Sequence, residues 1–517
     1  MIGLHRAIFG SAVPVVCGLL VACALAQAPS VARAAKGFEK LDQLSTERWG
    51  LLRETEKYQL QIAEKYFLQG NYAVAAGEYE KFITLYETSE GAPYAQLKWS
   101  LCQVATKKLN TAVKDGFQTV IDYWPDSPEA VAAAYKIGES YKAMGEIAKA
   151  KDAYQKVLEK HADEMVAVLA RFDLAELARI EQDRPRRIAI LKELITGPPR
   201  VGDAGRKIAD ASEMLSELQF EDGAFVEGLA SLTTSFQEPT LSSRVSANVQ
   251  KAIRREVAVA ETQERGLKTA DAAINYLNGL RPAVPKDDAE KLRSKDLAYN
   301  VVDVHEAAQR SKEAGDTYEK LLAEFPDDDV INRYGEFLRI KGRYEERRNI
   351  YGRMKDQIRG QGLIAYSYRQ ENKPLLAIPI YEQLLTKDAA KAGTWQMELG
   401  HAYQAAGKYK EAIAAFQQSD SMPTNLHYIA SCYRALKQWR EAIGMYTQIA
   451  GAYPNEAAGA LYQIARTHED SGQAESAIAT FQQVCKRYPT TEQARDAHQH
   501  LNNKYKILVT LGGAKAE

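Results

Sequence analysis

Residues 393–490 constrain the fold more than any other stretch, because one pattern recurs there three times in phase. The first copy carries Leu399-Gly400-x2-Tyr403, then Gly407-Lys408-Tyr409, then Ala412-x3-Phe416. The second carries Ile429-Ala430-x2-Tyr433, Trp439, Ala442-x3-Tyr446 and Pro454. The third carries Ile464-Ala465-x2-His468, Gly472, Ala477-x3-Phe481 and Pro489. Residues three and four apart share a helix face, so each copy spells two helices around a turn. Gly400, Ala430 and Ala465 let the helices approach closely; Phe416, Tyr446 and Phe481 fill the space between them. One such hairpin cannot bury its apolar face alone, so stacking is obligatory. Ala412 to Ala442 is 30 residues and Ala442 to Ala477 is 35, which predicts shortened turns in some copies.

The pattern resembles the tetratricopeptide repeat (TPR). That resemblance implies an all-α solenoid, a right-handed superhelix of roughly a dozen helical hairpins, which binds protein or peptide partners. Its concave face would be lined by first helices, here about 394–405, 425–435 and 460–470. Exposed residues on those helices, Gln404, Arg434 and Glu469, are the candidate partner contacts. Modules of this family that hold chaperone C-termini use a Lys and Asn clamp. Glu64, Glu139 and His401 follow the small motif residue here, so no such clamp is expected.

Further copies run along the chain. Ile62-Ala63-x2-Tyr66 with Ala75-x3-Tyr79, and Ile137-Gly138-x2-Tyr141 with Ala150-x3-Tyr154, are clear. The copies at about 94–125 and 168–199 are weaker, and the second places Arg187 where the crossing Ala is expected. Trp124-Pro125-Asp126, Phe325-Pro326-Asp327 and Tyr453-Pro454-Asn455 mark boundaries, where Pro stops a helix and the polar residue caps the next. The organisation expected is an N-terminal array over 38–199, opened by one amphipathic helix at 38–56, and a C-terminal array over 291–508 with a capping helix. Residues 200–290, where the motif decays, form degenerate hairpins or a hinge. Residues 509–517 form a flexible tail.

The N-terminus reads as an export signal over 1–28 followed by a tether at 29–37. His5 and Arg6 precede an apolar run from Ala7 to about Ala26. Cleavage before Gln27 or Ala35 suits an ordinary signal peptidase. Leu20-Val21-Ala22-Cys23 resembles the bacterial lipobox, which would make Cys23 a lipidated, membrane-anchoring residue. Both readings predict an exported chain in the periplasm, anchored to the outer membrane in the second case.

Catalytic signatures are missing. No Gly-rich phosphate loop, Cys-x2-Cys pair or His-Glu-x2-His occurs, so neither enzyme activity, metal nor cofactor is expected. His498 and His500 stand two apart and would point to different sides of a helix. With 67 basic and 68 acidic residues, the chain offers no overall charge for nucleic acid. Cys102, Cys432 and Cys485 read as buried thiols. The Arg184–Arg187 turn, the Asp327–Asp329 run and Glu345-Glu346-Arg347-Arg348 read as solvated surface.

An exported repeat protein with Tyr-Pro boundaries resembles the periplasmic partner of the Tol–Pal system and the repeat lipoprotein of the β-barrel assembly machine. The segment Leu461 to Pro489 carries that likeness. It implies a scaffold or adaptor of the cell envelope. Long repeat scaffolds of polysaccharide secretion are the alternative, and a helical accessory part of a cell-wall enzyme is a third reading.

Overall fold

The computed structural model describes residues 43–197 and 202–512. The leader, the tether and Cys23 lie outside them. Every described secondary element is helical. Two compact units part between Arg244 and Val245, inside the helix Thr240–Val257.

The first unit holds five antiparallel hairpins, 54–85, 92–123, 128–160, 165–196 and 202–233. The second holds 288–324, 328–351, 357–387, 392–417, 424–452 and 457–487, closed by Glu492–His500. Gln263–Gly279 precedes these and follows Thr240–Val257 in sequence.

All eleven of these hairpins turn in the same way. Three residues separate the helices, and the middle one adopts a left-handed φ. Six of these are glycines, Gly70, Gly145, Gly223, Gly342, Gly407 and Gly472, and five are Lys107, Gln182, Gln309, Asn372 and Lys437. The following amide reaches back to cap the first helix: Lys408 N–H donates to Tyr403 O at 2.9 Å, and Gln473 N–H to His468 O at 2.8 Å. The uneven repeat step therefore does not come from shortened turns. It comes from the helices: Tyr409–Gln417 has 9 residues where Trp439–Ala452 has 14.

The expected exchange of small and aromatic residues is what holds each hairpin together. A Cβ on Gly400 would run into the Phe416 ring, one on Gly138 into Tyr154, and one on Gly335 into Tyr351. The aromatic partner stands sixteen residues after the small one, as in Ala63/Tyr79, Ala430/Tyr446 and Ala465/Phe481. Both members of these pairs are fully or nearly fully buried.

Several local expectations are corrected. The region 38–56 is not one helix: Thr46–Leu51 ends at Leu52, and Glu54–Leu68 begins anew. Arg48 pins the short helix across the array, donating to Glu129 Oε1 at 2.6 Å and Glu90 O at 2.7 Å. The C-terminal helix is followed by a wide turn at Leu501–Tyr505. Residues 509–512 then fold back, with Val509 on the last core and Gly512 N–H donating to Cys485 O at 3.2 Å.

The charged runs also have structural work. Arg184 ties the fourth hairpin to Glu221 and Asp222, both at 2.8 Å. Asp327 caps the helix Asp328–Ile340 by accepting from Val330 N–H at 3.0 Å. Arg347 is 2% exposed and takes the crossing position that alanine holds elsewhere; it donates to the Tyr351 hydroxyl at 3.1 Å and to Gln370. Arg187, also at a crossing position, lies part-buried beside Glu176.

Candidate functional site

The candidate contacts share a register: each lies four residues after the small packing residue of a first helix. Gln404 follows Gly400, Arg434 follows Ala430, and Glu469 follows Ala465. One helical turn on, they point along the same face as the small residue but beyond the reach of the second helix.

None of the three stands free. Gln404 Nε2 donates to Ser431 Oγ at 2.8 Å. Arg434 Nη1 donates to Gln463 Oε1 at 2.8 Å, and its other amino group pairs with Asp470. Glu469 accepts from Lys504 Nζ at 2.8 Å and the Tyr505 hydroxyl at 2.7 Å, with His500 Nε2 at 2.8 Å and Arg466 at 2.9 Å. The exposure expected of Glu469 is not found: its side chain is 8% exposed. Burial would raise its pKa, but the hydrogen bonds from Lys504, His500 and Tyr505 prevail and hold it near 2.

Each reaches the next first helix or the C-terminal cap along the array. The same register does the same task elsewhere. Lys142 Nζ pairs with Asp173 at 2.7 Å, Arg369 pairs with Glu398, and the Phe67 ring receives Lys98 Nζ at 3.6 Å from its centroid. These contacts are rungs between successive first helices. Sequence reading found one side of each rung and missed the other, here Ser431, Gln463, Asp470 and His500. The signal available was spacing, since the hydrogen-bonded partners lie 27 to 36 residues on.

Chemically this face is a row of satisfied polar pairs. His401 is packed edge-on against Tyr428 at 4.4 Å and Phe416 at 5.2 Å, and burial lowers its pKa. His500 turns inward to Glu469, and His498 does not join it. Among the described residues no three His, Cys, Asp or Glu are grouped to hold a metal ion. Cys102, Cys432 and Cys485 are buried and free; burial pushes the Cys102 thiol up to about 12 and Cys432 to about 11. No described helix is long and apolar enough to cross a membrane.

Family profiles for the tetratricopeptide repeat match residues 132–163, 425–456 and 459–491, and a second such profile matches 363–423. These stretches are tetratricopeptide repeats. No curated protein sequence matches the chain. Among solved structures, the APC/C hetero-tetramer Cut9-Hcn1 is similar at 14% identity, over 89% of this chain and 99% of that one, with a TM-score of 0.28. Naa15/Naa10 bound to HypK-THB is similar at 15% identity, over 86% of this chain and 66% of that one, with a TM-score of 0.38. Yeast Tom70 is similar at 12% identity, over 87% of this chain and 97% of that one, with a TM-score of 0.28. TPR arrays support protein interaction as a general task, and the arrangement here is of that kind.

Proposed function

We propose that the chain is a non-enzymatic scaffold of the bacterial cell envelope that binds protein or peptide partners through its TPR surfaces. The observation that carries this reading is the apolar run Ala7–Ala26 behind His5 and Arg6, placed ahead of tetratricopeptide repeats. A pre-formed helical surface lowers the ordering cost of binding. Cys23 would anchor the protein to the outer membrane by its lipid if the lipobox is used; otherwise the mature chain is free in the periplasm. Service as a repeat scaffold of polysaccharide secretion is the second reading, which the length of 517 residues favours.

Mass spectrometry of the mature N-terminus tests export. A diacylglyceryl mass on Cys23, or a start at Gln27 or Ala35, is expected, and intact Met1 in a cytoplasmic fraction overturns it. Purification of the tagged full chain from envelope membranes should bring protein partners with it.

A further inference from the structure

The margin between hairpins in the first unit holds a recess of about 530 Å³, a size within the roughly 300–1,000 Å³ of ligand-sized clefts. Three segments wall it. The short helix Thr46–Leu51 contributes Arg48, the connection after the first hairpin contributes Glu90, and the end of the second hairpin with its connection contributes Tyr123, Trp124 and Asp126. The last of these walls is set by the fold: Ser127 caps the helix Pro128–Ala143 by accepting from Ala130 N–H at 3.1 Å.

The charges of this wall do not balance. Arg48 is the only cationic residue lining it among the described residues, and its amino groups are already engaged. Nη1 donates to Glu129 Oε1 at 2.6 Å and Nη2 to Glu90 O at 2.7 Å. Glu129 answers that charge and still keeps Oε2 buried without a partner. Arg53, the next basic residue along the chain, pairs with Glu56 at 2.8 Å. The carboxylates of Glu90 and Asp126 belong to exposed residues and have no ion pair or side-chain hydrogen bond among the described residues. Residues 84–93 and 118–128 add Glu87 and Asp122 and contain no Lys or Arg.

The aromatic rings are equally open. Elsewhere the chain lays its own cations over tyrosine, as Arg333 over Tyr299 at 4.1 Å and Arg348 over Tyr368 at 4.2 Å. Tyr123 is 75% exposed, and its ring lies 6.0 Å from that of Trp124 at 45°. Neither ring receives a Lys or Arg of the chain among the described residues. A cation is drawn both to a carboxylate and to an aromatic face, most strongly to Trp. The recess offers both, and the chain fills neither.

We propose that this recess seats a lysine or arginine side chain of a partner protein, with Glu90 and Asp126 answering its charge and Tyr123 and Trp124 flanking it. The aliphatic stem of such a side chain covers apolar wall while its head stays charged. This rests on the scaffold reading above and gives it a contact chemistry at a place other than the first-helix row, whose polar groups are already paired within the chain. The surplus of negative charge favours a basic protein segment over a glycan.

The test titrates the purified full-length chain with a short synthetic peptide of alternating lysine and glycine, with the same peptide carrying glutamate for lysine, and with spermidine. The lysine peptide should bind, less tightly as salt rises. E90Q/D126N should weaken it at least roughly tenfold, Y123A should weaken it too, and E159Q/E227Q should leave it unaltered. Equal binding of the glutamate peptide, wild-type affinity in E90Q/D126N, or the same loss in E159Q/E227Q overturns the proposal. A photo-crosslinking phenylalanine analogue at position 123 in cells should then capture a protein segment carrying lysine or arginine. A glycan adduct, an acidic segment, a second copy of this chain, or spermidine binding as tightly as the peptide with no protein crosslink each overturn it as well. If the E90Q/D126N chain still recovers every envelope partner of the wild type, the docking site is wrong and the scaffold stands. If the wild type recovers none, the scaffold reading itself fails.

Discussion

The middle of the chain and its C-terminal hairpins are built from the same hairpin but packed with different side chains. Over 392–487 the buried polar residues are Ser419, Asn425 and Thr467 alone, and the core is aromatic against Gly or Ala. Over 202–294 the buried set includes Ser212, Ser216, Gln219, Ser231, Ser246 and Asn248. Their hydroxyls are satisfied, as Ser212 is by Ser235 at 2.6 Å and Ser231 by Gln219 at 2.7 Å. A satisfied hydrogen bond contributes about 1 kcal/mol net, against roughly 1.5–3 kcal/mol for a large buried apolar side chain. The middle should therefore hold its neighbours less firmly. Nearest-neighbour stacking sets local opening in a repeat array.

The sharpest way to break that comparison is limited proteolysis. First cuts are expected between Gly197 and Pro285, at rates at least roughly tenfold above any cut inside 393–490 if local stability differs by about 1.4 kcal/mol. First cuts in the C-terminal hairpins would reverse the ranking.

Core truncation comes next. Phe416 is fully buried against Gly400, and Phe416→Ala should cost about 3–5 kcal/mol by denaturant unfolding. Ser231→Ala should cost about 1 kcal/mol. Equal losses at the two sites would show that polar packing in the middle is as firm as aromatic packing beyond it.

The C-terminal cap gives a pH test. Glu469 has a pKa held near 2, below its ordinary 4.5. A depressed carboxylate contributes stability that is present above the unfolded pKa and lost as pH falls through the folded one. The cap should therefore loosen between about pH 4.5 and 2, losing up to about 3 kcal/mol. Hydrogen exchange of 492–505 should accelerate over that window in the wild type. In E469Q it should already be fast at neutral pH.

The smallest effects concern the turns. Gly407→Ala places a Cβ at a left-handed φ of 72° and should cost about 1 kcal/mol. Lys437→Gly should stabilise by up to about 1 kcal/mol, because Lys437 holds φ 59° at a steric cost. Thermal melts measure both. Asn372→Gly should change least, since asparagine tolerates this conformation.

This contrast also explains what the sequence reveals. The C-terminal hairpins are readable because Ala and Gly meet aromatic rings in one order. In the middle the order is inverted: Phe220 sits on the first helix and Gly228 on the second, where a Cβ would strike that ring. A search for small-then-aromatic passes over it. Serine in place of alanine hides the rest. The turns at Lys107, Gln182 and Lys437 were invisible for a different reason, because side chains give no hint of a left-handed backbone that the neighbouring helices impose. At the candidate site, the register of Gln404, Arg434 and Glu469 was legible from helical periodicity. Their occupation was not, because all of their partners but Arg466 belong to the next hairpin or to the C-terminal cap.

The constant three-residue turn has a bearing on how such a chain can change length. Between hairpins the connections run from three residues, before Asp328, to eight, before Asp288. At the turns the spacing never varies in the eleven hairpins that share it. Connection length thus varies along one margin and is constant along the other. A tag or reporter spliced near Asn455 enters the permissive margin. The same insert at Gly472 would break the backbone geometry that caps Ala457–Asp470. The rigid margin is also the one carrying the exposed Ile340, Leu375 and Leu376, whose placement the same turns fix.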